Sequence, residues 1–124
     1  MRFFVYLLLW VIAAPAQAQD ICQFVANAAI VAHDGKYLGR ISNQYSADSV
    51  LNEYGAYGSE YSADSIWNEY GQYGGEYSIN SPFNPYTSTP PVLIKNGKAI
   101  AYLTANTSLR PAMDPHELKT CDFY

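Results

Sequence analysis

Charged residues are scarce in this 124-residue chain, and basic residues are scarcer than acidic ones. Only 15% of the residues are charged, with 7 Lys and Arg against 11 Asp and Glu, and the formal net charge is −4. A chain without a basic patch cannot displace counterions from phosphates, so this composition argues against a nucleic-acid-binding protein. Hydrophobic residues make up 49%, which indicates a folded chain, and the length allows one domain.

The motifs of the common catalytic sites are absent from the sequence. The chain has two histidines, His33 and His116, and neither belongs to an H-E-x-x-H motif. No G-x-S-x-G elbow, phosphate-binding loop or EF-hand loop occurs. We therefore predict a non-catalytic protein. A small envelope hydrolase is the alternative, because serines are plentiful and the pair of carboxylates formed by an Asp and a Glu recurs along the chain.

The chain has one long apolar run, and it lies at the N-terminus. Arg2 precedes an apolar run over residues 3–14, and Ala16-Gln17-Ala18 follows it. A basic start, an apolar centre and a small-x-small end are typical of an export signal, and the run is shorter than a membrane span. We predict a signal peptide over residues 1–18, cleaved near Ala18. The remaining single domain, residues 19–124, then has no membrane span and resides in the periplasm or outside the cell.

The two cysteines lie close to the ends of this domain. Cys22 and Cys121 do not form a C-x-x-C pair, and no cluster of histidines accompanies them. In an oxidising compartment two such cysteines normally pair. We predict a disulfide bond between them that closes almost the whole domain.

Two segments with turn dipeptides predict the sheet. Asp34-Gly35 separates two β-compatible runs, and Asn96-Gly97 separates two more. Asp-Gly and Asn-Gly favour tight β-hairpins, so we predict a small antiparallel sheet of about four strands made from two hairpins. Near the C-terminus, Asp114-Pro115 indicates the start of a short helix. The fold class is α+β.

A repeat of 16 residues occupies the segment between the hairpins, residues 45–91. Its copies begin at Tyr45, Tyr61 and Tyr77, and the third is degenerate. Ser46 and Ser62 are suitable N-caps, and the glycines at 55 and 71 suit a left-handed C-terminal position. The spacing i, i+3, i+4, i+7 holds for these apolar residues: Ala47, Val50, Leu51 and Tyr54, and Ala63, Ile66, Trp67 and Tyr70. This spacing predicts short helices packed on the sheet.

The second and third repeats carry a recognisable motif. It reads Tyr-Ser-x-x-Ser-Ile-x-Asn-x-Tyr-Gly-x-Tyr-Gly-x-x-Tyr-Ser over residues 61–78, and Ser-Pro-Phe-Asn-x-Tyr and Pro-Pro follow at 81–86 and 90–91. This pattern resembles small secreted bacterial proteins of uncharacterised function. The resemblance covers about half of the chain and implies an exported bacterial protein of one domain. It implies no activity.

Charge and aromatic residues in the repeats suggest an interaction surface. Residues 45–91 contain six acidic residues and no Lys or Arg. The candidates for binding a cation such as Ca²⁺ or a basic protein are Asp48, Glu53, Asp64 and Glu69. Solvated helix faces are the simpler interpretation of these charges.

The same segment holds eight of the twelve tyrosines. Tyrosine suits both recognition surfaces and small cores, and its ring also stacks on sugars. The aromatic candidates, for surface or core, are Tyr57, Tyr61, Trp67, Tyr73 and Tyr77. We therefore predict an interaction or structural module of the bacterial envelope that binds a basic protein or a glycan. A Ca²⁺-stabilised structural protein is a further alternative.

Overall fold

The computed structural model describes residues 17–123. Residues 1–16 of the predicted signal peptide lie outside the described residues. The elements are α1 (Gln17–Val25), β1 (Ala29–Val31), β2 (Tyr37–Arg40), β3 (Val92–Lys95), β4 (Lys98–Leu103), β5 (Ala112–Met113) and a 3-10 helix (Pro115–Thr120). The α+β class is therefore confirmed. Among the described residues no helix has both the length and the apolar character needed to span a membrane.

The five strands form one mixed sheet in the order β2-β1-β3-β4-β5. The neighbours β1–β2, β1–β3 and β3–β4 are antiparallel, whereas β4 and β5 are parallel. The expectation of a purely antiparallel sheet was wrong, because the two residues of β5 are too few to show a strand pattern in the sequence. Alternate side chains point into the core, among them the fully buried Ile30, Leu93 and Leu103.

The two turn dipeptides adopt different conformations. Asn96 and Gly97, between β3 and β4, both have positive φ, at 53° and 79°, as a two-residue hairpin turn requires. Between β1 and β2 the chain needs five residues, and at the Asp34-Gly35 dipeptide only the glycine has a positive φ, of 94°. Asp34 serves instead as an acceptor, because its Oδ1 receives the backbone N–H of Lys36 at 3.0 Å.

The repeat region is a chain of turns, so the prediction of repeat helices was wrong. Backbone N–H groups bond to carbonyls three residues earlier, at Ser49→Ser46, Asn52→Ser49 and Gly55→Asn52, over 2.9–3.1 Å. A four-residue step, Ser59→Gly55 at 3.1 Å, then follows. The second repeat has the same sequence of steps from Ser62 to Gly75. Four steps of three residues and one step of four account for the 16-residue period.

Serine and asparagine side chains explain why these turns replace a helix. Oγ of Ser65 accepts the backbone N–H of Trp67, and Oδ1 of Asn68 accepts that of Tyr70, both at 3.0 Å. The equivalent residues of the first and third repeats do the same. A side chain that binds the amide two residues on competes with the helical hydrogen bond. These side chains, three residues apart, each accept the amide two residues on, and this series of bonds keeps the backbone in turns.

A second bond from each asparagine closes its repeat. Nδ2 of Asn52, Asn68 and Asn84 donates to the carbonyl oxygen six residues earlier, at 3.1 Å in all three. Each asparagine thus joins two parts of the backbone with both ends of its amide. This invariant geometry fixes the three repeats in one conformation.

Glycine is needed where the chain passes closest to these asparagines. A Cβ at Gly58 would overlap the carbonyl oxygen of Asn52, and one at Gly74 would overlap that of Asn68. The glycines predicted to be left-handed, Gly55 and Gly71, are not among the residues with positive φ. They occupy turn positions, because no helix ends there.

The apolar side chains of the repeats divide differently from the helical prediction. Val50 and Ile66 are fully buried, and Leu51 and Trp67 pack partly buried against the same core. The other half of the predicted stripe, Ala47, Ala63, Tyr54 and Tyr70, is exposed. The prediction that these residues form one buried stripe was therefore wrong for half of them, because side chains in a chain of turns point in other directions than they do in a helix.

The disulfide bond ties α1 to the C-terminal segment. Cys22 and Cys121 are bonded, with their Cα atoms 5.7 Å apart and a sequence separation of 99, so this prediction is confirmed. Asp114 caps the 3-10 helix by accepting the N–H of His116 at 3.0 Å, and Pro115 follows it. The bond holds this helix against the repeats, where Leu118 is fully buried.

Candidate binding surface

The predicted acidic face is divided by the structure into two parts. Asp48 and Asp64 face the β2 side: Asp48 forms an ion pair with Arg40 at 3.1 Å, and Asp64 one with Lys36 at 3.6 Å. Glu53 and Glu69 are exposed elsewhere on the repeats. Within residues 21–123 no group of three or more His, Cys, Asp or Glu side chains is placed to hold a metal ion. The four candidates therefore do not form one cation site in this structure.

Asp48 belongs to an internal network with β2. Its Oδ2 accepts the hydroxyl of Tyr37 at 2.8 Å, and Oδ1 accepts Nη2 of Arg40 at 3.1 Å. The Arg40 hydrogen bond, followed by that of Tyr37, lowers the pKa of Asp48 below its usual value. Burial, together with the bond to Asp48, raises the pKa of Tyr37 to about 12. This carboxylate stabilises the contact between the first repeat and the sheet.

Four glutamates remain without such a partner. Glu53, Glu60, Glu69 and Glu76 are all exposed, and among the described residues none of them forms an ion pair. Each is followed directly by a tyrosine, which gives four Glu-Tyr dipeptides along the repeats. Glu60 and Glu76 were missed as site residues, and the recurrence of this dipeptide is the signal that could have found them.

The tyrosines of the repeats fall into an exposed and a buried class. Six stand almost entirely in solvent: Tyr45, Tyr54, Tyr61, Tyr70, Tyr77 and Tyr86, each at least 82% exposed. Tyr73 is buried at 5% and donates its hydroxyl to Oδ2 of Asp34 at 2.8 Å. Burial raises the pKa of Tyr73, and the hydrogen bond to Asp34 raises it further. Tyr57 is half-buried, with its ring edge-on to that of Tyr37 at 5.3 Å. Of the aromatic candidates, Tyr61 and Tyr77 therefore belong to the surface, and Tyr57 and Tyr73 to the packing.

Trp67 forms the floor of two grooves. Its Nε1 donates to the carbonyl of Val50 at 2.7 Å, which fixes the indole between the first and second repeats. Its ring lies 5.5 Å from that of Phe83, the equivalent residue of the third repeat. A partly buried ring that is held on two sides has a fixed position in the fold.

We call the larger groove, of about 840 Å³, groove A. Its walls are Tyr54, Tyr61 and Tyr70, and the carboxylates of Glu53, Glu60 and Glu69 surround it. Groove B, of about 560 Å³, has Trp67 and Phe83 on its floor, Tyr70 and Tyr77 as walls, and Glu69 and Glu76 beside them. The walls Tyr70 and Tyr77 of groove B lie 16 residues after the walls Tyr54 and Tyr61 of groove A.

Basic side chains of the 3-10 helix already lie on the floors of these grooves. Nζ of Lys119 is 4.2 Å from the centre of the Trp67 ring, a distance typical of a cation–π interaction. The His116 ring meets Phe83 edge-on at 4.9 Å. The equivalent depression beside the first repeat, of about 320 Å³, has Leu51 in place of the aromatic residue and is lined by Phe123 of the C-terminal segment. Grooves A and B are therefore the two aromatic members of a row of three.

No protein-family model, no curated protein and no solved structure matches this chain.

Proposed function

We propose that the protein is an exported, non-catalytic binding module, and that grooves A and B are its recognition surface. The observation that carries the proposal is the set of four Glu-Tyr dipeptides whose side chains all point into solvent beside an aromatic floor. The tyrosines in them are 86–92% exposed. Tyrosines gathered in this way supply large contact areas at a low cost in side-chain entropy.

The scaffold beneath these side chains favours binding. The three asparagines hold the repeats with bonds of equal length, so the backbone that carries the tyrosines is fixed before any ligand arrives. Preorganisation of this kind reduces the entropy lost on binding. The repetition also suits binding better than catalysis, because an active site needs groups with different roles, whereas both grooves present exposed tyrosines beside glutamates.

An extracytoplasmic location completes the proposal. Two cysteines that pair across 99 residues are typical of a chain that folds in an oxidising compartment. The basic and apolar start of the sequence is consistent with export. We therefore assign the module to the periplasm or the cell exterior of a bacterium.

A panel of soluble polymers tests the proposal. The protein, purified after export with its own N-terminal segment, is assayed for binding to fluorescent oligolysine, oligoglutamate and neutral β-linked oligosaccharides. We expect at least one of them to bind, and we expect the variant with serine at positions 54, 61, 70 and 77 to lose that binding. Serine at positions 45 and 86 is the matched control, because these two tyrosines are as exposed and lie outside both grooves.

Equal binding by the groove variant and the control variant, or no binding of any polymer, would contradict the proposal. Thermal melts of both variants accompany the assay. Side chains that are almost wholly exposed contribute little to stability, so both variants should melt close to the wild type.

A further inference from the structure

The charges around the two grooves narrow the class of ligand. The acidic residues on the β2 side are neutralised within the chain by Arg40 and Lys36, whereas the four groove glutamates form no ion pair with the described residues. No Lys or Arg occurs anywhere in residues 45–91. Anionic polymers are therefore repelled from this face, and a cationic ligand would be attracted to it.

Two side chains of the protein itself already contact the aromatic floor of the grooves. Lys119 places its ammonium group over Trp67, and His116 contacts Phe83. Both residues come from one short helix, so a polypeptide segment already places an ammonium group and an imidazole ring along the row of floors. The walls offer further exposed tyrosine faces next to carboxylates, and a Lys or Arg side chain can use both, by cation–π contact and by ion pairing.

The two grooves are similar sites that lie side by side. Tyr70 and Tyr77 of groove B lie one 16-residue period after Tyr54 and Tyr61 of groove A, as Glu69 and Glu76 do after Glu53 and Glu60, and the two grooves share Trp67, Glu69 and Tyr70. A ligand with several like groups along one chain can occupy both at once, and the second contact then forms at a high effective concentration. A single small cation would gain nothing from this duplication.

On the basis of the proposed function, we infer that the ligand is a lysine- or arginine-rich polypeptide segment in an extended conformation. Its cationic side chains enter grooves A and B, lie against the exposed tyrosine rings and pair with the groove glutamates. A neutral glycan would use the aromatic faces and leave the four carboxylates without a partner, so the charge pattern favours the basic polypeptide.

The test uses an oligolysine of eight residues as the probe, measured by fluorescence anisotropy at low and at high salt. The double variant E60Q/E76Q removes one carboxylate from each groove. The matched control is E117Q/D122N, which changes the net charge equally at exposed positions outside both grooves. We expect the groove variant to bind about tenfold more weakly at low salt and the control to change less than about threefold.

Salt dependence is the second readout. Binding of the probe to the wild type should weaken steeply as salt rises, and the groove variant should show a shallower dependence. Equal affinities of the groove variant and the control would overturn the inference, because the probe would then respond to net charge alone.

The outcomes separate this inference from the proposed function. If a neutral oligosaccharide binds in a tyrosine-dependent way and oligolysine does not bind, the inference is overturned and the binding module stands. If neither probe binds, both are overturned. If oligolysine binds and depends on the groove tyrosines and on the groove glutamates, both are supported.

Discussion

Replacement of Asn68 by alanine tests the turn structure of the repeats. The Asn68 side chain donates to the carbonyl of Ser62 at 3.1 Å and accepts the N–H of Tyr70 at 3.0 Å. Each such bond contributes about 0.5–1.5 kcal/mol net, so the loss of both should lower the free energy of unfolding by about 2 kcal/mol. In a helix the same side chain would face solvent, and alanine, the better helix former, would stabilise the protein by a few tenths of a kcal/mol. The two structures thus predict opposite signs.

The assay is equilibrium unfolding in urea, with the midpoint and the slope compared between variants. Asn80→Ala is the matched control, because this asparagine lies in the third repeat and its side chain forms no hydrogen bond among the described residues. Asn80→Ala should change stability by less than about 0.5 kcal/mol. Asn68→Asp keeps the acceptor for Tyr70 but places a carboxylate against the Ser62 carbonyl, so it should cost at least as much as alanine. An Asn68→Ala variant as stable as the control would refute the turn structure.

Three further predictions concern other parts of the fold. Gly74→Ala should lower the free energy of unfolding by about 2 kcal/mol, because the new Cβ would overlap a backbone carbonyl. Gly71→Ala should cost less than half of that, since the nearest neighbour of its Cβ would be a side-chain amide at 3.3 Å. The midpoints of urea unfolding measure both effects. The pKa of Tyr37 is raised from 10.0 to about 12 in the folded protein. Its contribution to the free energy of unfolding is therefore complete below pH 10 and is lost as the pH rises to about 12. Tyr37→Phe should make the free energy of unfolding less dependent on pH between these two values. Cys121→Ser should lower the melting temperature, because closure of a 99-residue loop contributes at most about 4–5 kcal/mol, and two free thiols in the denatured, unreduced wild type would contradict the bond.

The sheet and the disulfide bond could be predicted from local signals. Local structure follows from signals within a few residues, namely the alternating apolar residues around Ile30 and Leu93 and the Asn96-Gly97 dipeptide. The disulfide bond follows from the presence of two cysteines in a chain that is expected to fold in an oxidising compartment. The parallel pairing of β5 could not be predicted, because it depends on where residues 104–111 bring the chain back.

The prediction of helices in the repeats was wrong because two patterns coincide in their sequence. The serines satisfy an N-cap rule, and the apolar residues satisfy a helical spacing over two turns. A different period is also present: Ser, Asn, Gly or Thr occupies every third position from Asn43 to Gly55, and again from Ser59 to Gly71 and from Gly75 to Thr87. A helix has 3.6 residues per turn, so a strict three-residue polar period favours side-chain-capped turns.

The composition of the proposed recognition surface is visible in the sequence, and its arrangement is not. The excess of tyrosine and of acidic residues in residues 45–91 is the signal on which the proposal of a binding face rests. Which tyrosines face solvent depends on the turn geometry, and so does the separation of Asp48 from Glu53. The basic residues over Trp67 and Phe83 come from a helix about 50 and 30 residues further along the chain, so only the tertiary fold shows them.

Tyrosine nitration, mapped by mass spectrometry on the folded protein, tests most directly the claim that a turn scaffold holds the tyrosines of the repeats in solvent. The structure predicts rapid modification at positions 45, 54, 61, 70, 77 and 86, and protection of Tyr73, which is 5% exposed and bonded to Asp34. Tyr54 and Tyr70 are decisive, because packed helices would bury them and the turns leave them 92% and 91% exposed. Protection of these two residues in the folded protein, with modification after unfolding, would contradict the turn scaffold and the proposed recognition surface.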